Sequence, residues 1–212
     1  MINMVILGAK TKPRKTTIIL SAILTGVILY VLIVYAFYPM YMHSIHYEVY
    51  GGMTSVLQDG ELYADMESGK SFCFLGDSIT KGTDTFGIHW YEPLIPYISG
   101  EINNLSHGYW TISDLLFWSD MIPKSDIYVI AIGINDVIHP DSNNSSKTPN
   151  EYIDQINTLS QLLLERSPNA KLYFVAPWPL PGWDKDYNNR RKLFVSALMM
   201  WCEEKDYVFI DP

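Results

Sequence analysis

A serine hydroxyl becomes a useful nucleophile when the backbone presents it at the open edge of a sheet, and Ser78 stands in that setting. Phe72-Cys73-Phe74-Leu75 reads as a short buried strand, and Gly76-Asp77-Ser78 turns it abruptly toward a following helix. In an open α/β sheet the carboxyl ends of the strands are where ligands bind. The small Gly76 lets the chain bend, and the start of the next helix offers free N–H groups to a developing oxyanion. The plain alternative is an Asp/Ser helix cap after a core strand, a common device with no chemistry in it. Two later stretches, in order and at domain-like spacing, favour chemistry: Asn103-Asn104-Leu105-Ser106-His107-Gly108 and Gly133-Ile134-Asn135-Asp136.

Together the three stretches resemble the Ser, Gly and Asn blocks of the SGNH (GDSL-like) hydrolases, a family of esterases, lipases and carbohydrate acetyl-esterases or acetyltransferases. The resemblance spans about Ser71 to Pro212, and its first and third blocks are the specific ones. It implies that Ser78 attacks an ester carbonyl. The Ser78 N–H, the Gly108 N–H and the Asn135 side chain would then form the oxyanion hole. Such preorganised donors each stabilise the transition state by roughly 3 to 4 kcal/mol in a partly dry site. No cofactor is implied.

The sequence departs from the family at its fourth block, an Asp-x-x-His beyond the last strand whose histidine is the general base. Here the last strand reads Tyr207-Val208-Phe209-Ile210, and Asp211-Pro212 follow it. A serine is weakly nucleophilic without a base to take its proton. The expectation is a fragment of a longer chain whose final helix carries the missing pair. The other candidate is His139, the one histidine downstream of the asparagine block, standing in for the base.

The elements that must position these residues can be read in order. Pro93 and Pro96 break the apolar pattern of Trp90, Leu94, Ile95 and Ile98 into a short helix. Ile102-Asn103-Asn104-Leu105 is a second strand. A helix with Thr111 or Ser113 near its start carries Ile112, Leu115 and Leu116. Ile127 to Ile132, continuously apolar, predicts a parallel strand covered on both faces. Thr148-Pro149-Asn150-Glu151 is a capping box opening a helix that ends at Ser167-Pro168. Lys171 to Ala176 is a fourth strand, a last helix carries Leu193, Phe194, Ala197, Met200 and Trp201, and Val208 begins a fifth strand. Alternating strands and helices predict a flavodoxin-like three-layer α/β/α fold, with a doubly wound parallel sheet of about five strands and right-handed crossovers.

Ahead of this domain (71–212) the sequence changes character. Residues 1–15 carry Lys10, Lys12, Arg14 and Lys15 and no acid, and residues 16–42 hold no charged side chain. About 20 apolar residues cross a bilayer core of roughly 30 Å. A cleavable signal peptide would have an apolar region of about 7–15 residues and a small-x-small site, which Tyr35-Ala36-Phe37-Tyr38-Pro39 does not supply. The reading is a transmembrane anchor over 16–42, with 1–15 a cytoplasmic tail and the rest outside the cell membrane. Residues 43–70, punctuated by Gly51-Gly52, Asp59-Gly60 and Ser68-Gly69, read as a linker with one short helix or hairpin.

Charge and side-chain chemistry narrow the partners. The first 15 residues take four of the 15 Lys and Arg, leaving 11 basic against 23 acidic side chains, which excludes nucleic acid. Cys73 and Cys202 lie on apolar segments and read as buried free thiols. His43 and His46 have an i, i+3 spacing with no third ligand, so no metal is expected, and no Gly-rich phosphate loop occurs. Asp77 reads first as a helix cap and Asp136 as support for its loop. His107 and His139 are candidates to line the site, and Trp178 and Trp183, in the stiff loop Pro177 to Trp183, are candidates to stack on a sugar. The expected partner is an acylated glycan or other small ester.

Overall fold

In the computed structural model the described residues are 23–35, 60–85, 87–180 and 185–212. The chain divides into two compact units, Met1–Gly52 and Met53–Pro212. In the first unit, α1 (23–35) is a helix with every side chain exposed. Its 13 residues rise about 20 Å at 1.5 Å each. Among the described residues no helix is long and apolar enough to cross a membrane. The remaining parts of the expected anchor, 16–22 and 36–42, lie outside the described residues, as do His43 and His46.

The second unit is built on five parallel strands: β1 (Phe72–Gly76), β2 (Ile102–Ser106), β3 (Ile127–Ala131), β4 (Lys171–Val175) and β5 (Val208–Ile210). Their order is β2-β1-β3-β4-β5. Register pairs Gly76 with Ser106 on one side and Ala131 on the other, so three strand ends come level at one edge. The direction of winding reverses at β1, which opens a crevice at the carboxyl ends of β1 and β3.

Side chains alternate between two apolar layers. Cys73, Leu75, Tyr128, Ile130, Leu172 and Phe174 face α4 (Ile112–Phe117), α6 (Pro149–Arg166) and α7 (Lys185–Lys205). Phe72, Phe74, Val129, Ala131, Tyr173 and Val175 face the opposite way, against α2 (Glu61–Met66) and the Trp90–Ile98 segment. The second layer is thin: Pro93 and Pro96 sit in a 3₁₀ helix, Glu92–Tyr97, as their rings exclude a regular α-helix there. Both cysteines are buried and free, and burial pushes each thiol up to about 12.

Helix starts follow their local chemistry. Thr148 and Glu151 form the expected capping box with Pro149 at the first position, and Thr111 and Asp114 form a second one at α4. The segment 43–70, read as a linker with one short helix or hairpin, carries the helix α2, and Met66 on it is 2% exposed in the core of the second unit. On α7 the buried face is Tyr187, Phe194, Leu198, Trp201 and Cys202, whereas Leu193 and Met200 are exposed. One residue is 100° of rotation, so choosing 194 and 201 turns 193 and 200 outward.

Candidate active site

The three sequence blocks meet at the carboxyl edge of the sheet. Ser78 opens α3 (Ser78–Lys81) directly after β1 and is half-buried. Gly108 follows β2, and Asn135 lies in α5 (Ile134–Ile138) after β3. Hydrogen bonds stitch the loops together. His107 N–H donates to Gly76 O at 3.3 Å, tying the second block to the first. Asn135 Nδ2 donates to Trp110 O at 2.8 Å, tying the third block to the second. Asn104 Nδ2 donates to Thr80 O at 3.2 Å and to the Tyr91 hydroxyl at 2.7 Å, holding α3 against β2.

Two glycines make the turns possible. A Cβ at Gly76 would lie 2.2 Å from Thr80 Oγ1 and 2.4 Å from Ala131 O, so α3 can fold back over β3 only with glycine there. Gly133 has φ +120°, and a Cβ there would meet the Tyr152 ring at 2.8 Å. The Tyr152 hydroxyl in turn donates to Ile132 O, fixing the end of β3 that delivers Asn135.

Asp77 takes the position of a helix cap. It is 1% exposed, and its Oδ1 accepts from Ile79 N–H at 3.0 Å as the cap of α3. Its Oδ2 is buried with no hydrogen-bond partner among the described residues. Burial pushes this carboxyl up to about 7, with the nearby Asp136 charge adding to the rise. Asp136, wholly buried, accepts from Ile112 N–H at 3.1 Å and Ser146 N–H at 2.8 Å, so it clamps the start of α4 to the 146 loop. Burial raises its pKa too, against the pull of those two N–H groups.

The other candidates are dispersed around this centre. His107 is exposed, its ring stacked on Trp110 at 5.5 Å, with Nδ1 2.9 Å from Gly108 O. His139 closes α5 and lines a hollow with Asn135, Tyr109 and Thr111. Among the described residues no imidazole is hydrogen-bonded to Ser78 Oγ, so His139 is brought to the asparagine block but not onto the serine. Trp178 is half-buried, its ring 5.6 Å from that of Trp90, and it packs against the core layer. Trp183 lies outside the described residues.

Two supporting residues had no clear mark in the sequence. Arg190 reaches from α7 to the carbonyls of Asp136, Ser146 and Lys147, a contact across 43 to 54 residues with no local pattern. Asn104 could have been noticed as an amide inside a strand otherwise free to be apolar.

The arrangement presents a hydroxyl, two backbone N–H positions and a half-tethered amide around one strand edge. One N–H of the Asn135 amide is taken by Trp110 O, which orients the other. That is a donor set suited to an oxygen gaining negative charge.

Comparison with known proteins agrees in fold. Acetylxylan esterase Axe2 from Geobacillus stearothermophilus is 21% identical over 69% of this chain and 78% of its own, with a TM-score of 0.57. A form of Axe2 described as a catalytic mutant at a histidine gives 21% identity, the same coverage and 0.58. A putative GDSL-like lipase from Parabacteroides merdae gives 18% identity over 68% of this chain and 78% of its own, with 0.58. No curated protein sequence matches at a significant level. Residues 74–212 match the GDSL-like Lipase/Acylhydrolase family, which is well over half of the chain and takes in all three blocks; the chain therefore belongs to that family.

Proposed function

We propose that this family member is a carbohydrate O-acetyl-esterase or O-acyltransferase that works through an acyl-enzyme on Ser78. The observation that carries the reading is the meeting of Ser78, Gly108 and Asn135 at one sheet edge, held there by the His107–Gly76 and Asn135–Trp110 bonds. Ser78 Oγ would attack the ester carbonyl, its proton passing to a base, while the Ser78 N–H, Gly108 N–H and Asn135 Nδ2 take the oxyanion. The acyl group then passes to water or to a sugar hydroxyl. The solved relatives named for acetylxylan and acetyl-xylooligosaccharide support an acetylated glycan as substrate. Turnover of phenyl acetate that vanishes in Ser78→Ala tests the esterase step, and product analysis with and without added sugar separates hydrolysis from transfer.

A second reading has its own observation: no described imidazole lies against Ser78, as a glycan-binding module without turnover would have it. Glycan binding with no hydrolysis by the wild type would select it. The uncharged stretch 16–42 behind a basic tail supports a single-pass anchor, with the second unit outside the cell. Protease added to intact cells would then cleave residues 53–212 and spare the N-terminal tail. Protection of the whole chain would contradict that topology.

A further inference from the structure

Tyr109 is conspicuous beside the site: the residue is 82% exposed and its backbone has φ 65°. A non-glycine residue in the left-handed region is uncommon, and such strain clusters where a side chain must be aimed. Tyr109 follows Gly108 directly and lines, together with Asn135, a hollow of about 490 Å³. That volume is within the range of small-molecule sites.

The walls define what fits. Ser142 brings a hydroxyl, His139 an imidazole and Asp141 a carboxylate, with Tyr109 the aromatic surface and Ile138 and Pro140 apolar patches among them, while the Thr111 and Ser145 hydroxyls are engaged by Asp114, Asn144 O and Asn135 O. Among the described residues no Lys or Arg is in the lining; the nearby Lys147 ammonium is taken up by the carbonyls of Pro140 and Ser142, and Asp141 would repel an anionic ligand. A long acyl chain needs continuous apolar walls, and here Ile138, Pro140 and the Tyr109 ring are interrupted by His139, Asp141 and Ser142. Polar groups around an exposed ring suit a ligand with hydroxyls at its rim and C–H groups on its face.

We infer that this hollow is the subsite for a neutral pyranose of the glycan, with Tyr109 stacking on the sugar face and setting glycan preference. This deepens the esterase reading and rests on it for placing the sugar beside the scissile ester. Asn135 would be shared: its amide serves the ester oxygen while the hollow on its other side takes the sugar.

The test separates the two readings. Full-length Ser78→Ala protein is titrated with xylotriose by calorimetry, alone and combined with Tyr109→Gly or Tyr109→Phe. Glycine relieves the positive φ while removing the ring, so loss of fold does not obscure the result. The dissociation constant should rise about tenfold with Tyr109→Gly and change less than twofold with Tyr109→Phe. Equal affinity in the glycine variant, or no saturable binding to the Ser78→Ala protein, would overturn the subsite. Phenyl acetate turnover by the wild type reads the esterase step separately. Turnover without sugar binding sinks the subsite alone, and sugar binding without turnover sinks the esterase alone.

Discussion

The two ends of the sheet each bury a carboxylate, and they treat it in opposite ways. At the amino edge, Asp65 accepts from Lys70 at 2.8 Å, from Lys171 at 2.9 Å and from the Tyr173 hydroxyl at 2.6 Å. Burial alone would raise its pKa, but those hydrogen bonds outweigh it and hold the carboxyl at about 2. At the carboxyl edge, Asp77 has one backbone N–H and no cation, and burial pushes it up to about 7. The first arrangement ties α2 to β4. The second tolerates an unfavourable charge directly behind Ser78, in keeping with perturbed carboxyls gathering where a fold does chemistry.

Removing the amino-edge carboxylate should have the larger effect. Asp65→Ala strands the Tyr173 hydroxyl, leaves Lys70 without its carboxylate and leaves Lys171 with Glu61 alone; with those ammonium groups a third to nearly half exposed, the loss is about 2 kcal/mol at pH 7. Because the folded pKa of Asp65 lies below its unfolded value of about 3.9, its contribution is present above pH ~4 and is lost as pH falls through about 2. Urea midpoints of parent and variant should therefore converge toward pH 2. A gap that stays constant from pH 7 to 2 would break the contrast.

The carboxyl edge should show the reverse sign. Asp77 has a folded pKa raised above the unfolded one, so the protein is favoured where both states hold the proton, below pH ~4. It loses stability as pH rises toward about 7, because only the unfolded chain ionises readily. Asp77→Asn keeps an oxygen for the Ile79 N–H and cannot ionise. It should be more stable than the parent by about 1 kcal/mol at pH 8, once its weaker cap is set against the relieved charge, and the gap should shrink toward pH 4. Equal pH profiles for parent and variant would show that Asp77 does not carry this penalty.

Local signals made much of the fold legible. The turn after β1, the helix start at Thr111 or Ser113, the capping box at Thr148, the continuous apolar β3 and the two broken turns at Pro93 and Pro96 each rest on neighbours within a few residues. What depends on distant partners was not legible. The facing of α7 is set by α6 and the sheet, so Leu193 and Met200 could not be sorted from Phe194 and Trp201 by apolarity alone. From the sequence α2 reads as a short helix or hairpin within a linker, because its anchor, Asp65, is satisfied by Lys171 and Tyr173 more than 100 residues away. At the site, Ser78, Gly108 and Asn135 were singled out through motif and position, and their blocks lie at one sheet edge. The reach of Arg190, the tether of Asn104 and the aimed ring of Tyr109 emerge only when the three loops are brought to one edge.

The most direct test of the account is active-site labelling of the purified full-length chain with a fluorophosphonate, read by intact mass. Such reagents bond to an activated serine. The account predicts one adduct per chain, mapped to Ser78 and absent in Ser78→Ala. A demonstrably folded chain that takes up no label, or labels equally in the Ser78→Ala variant, would contradict it.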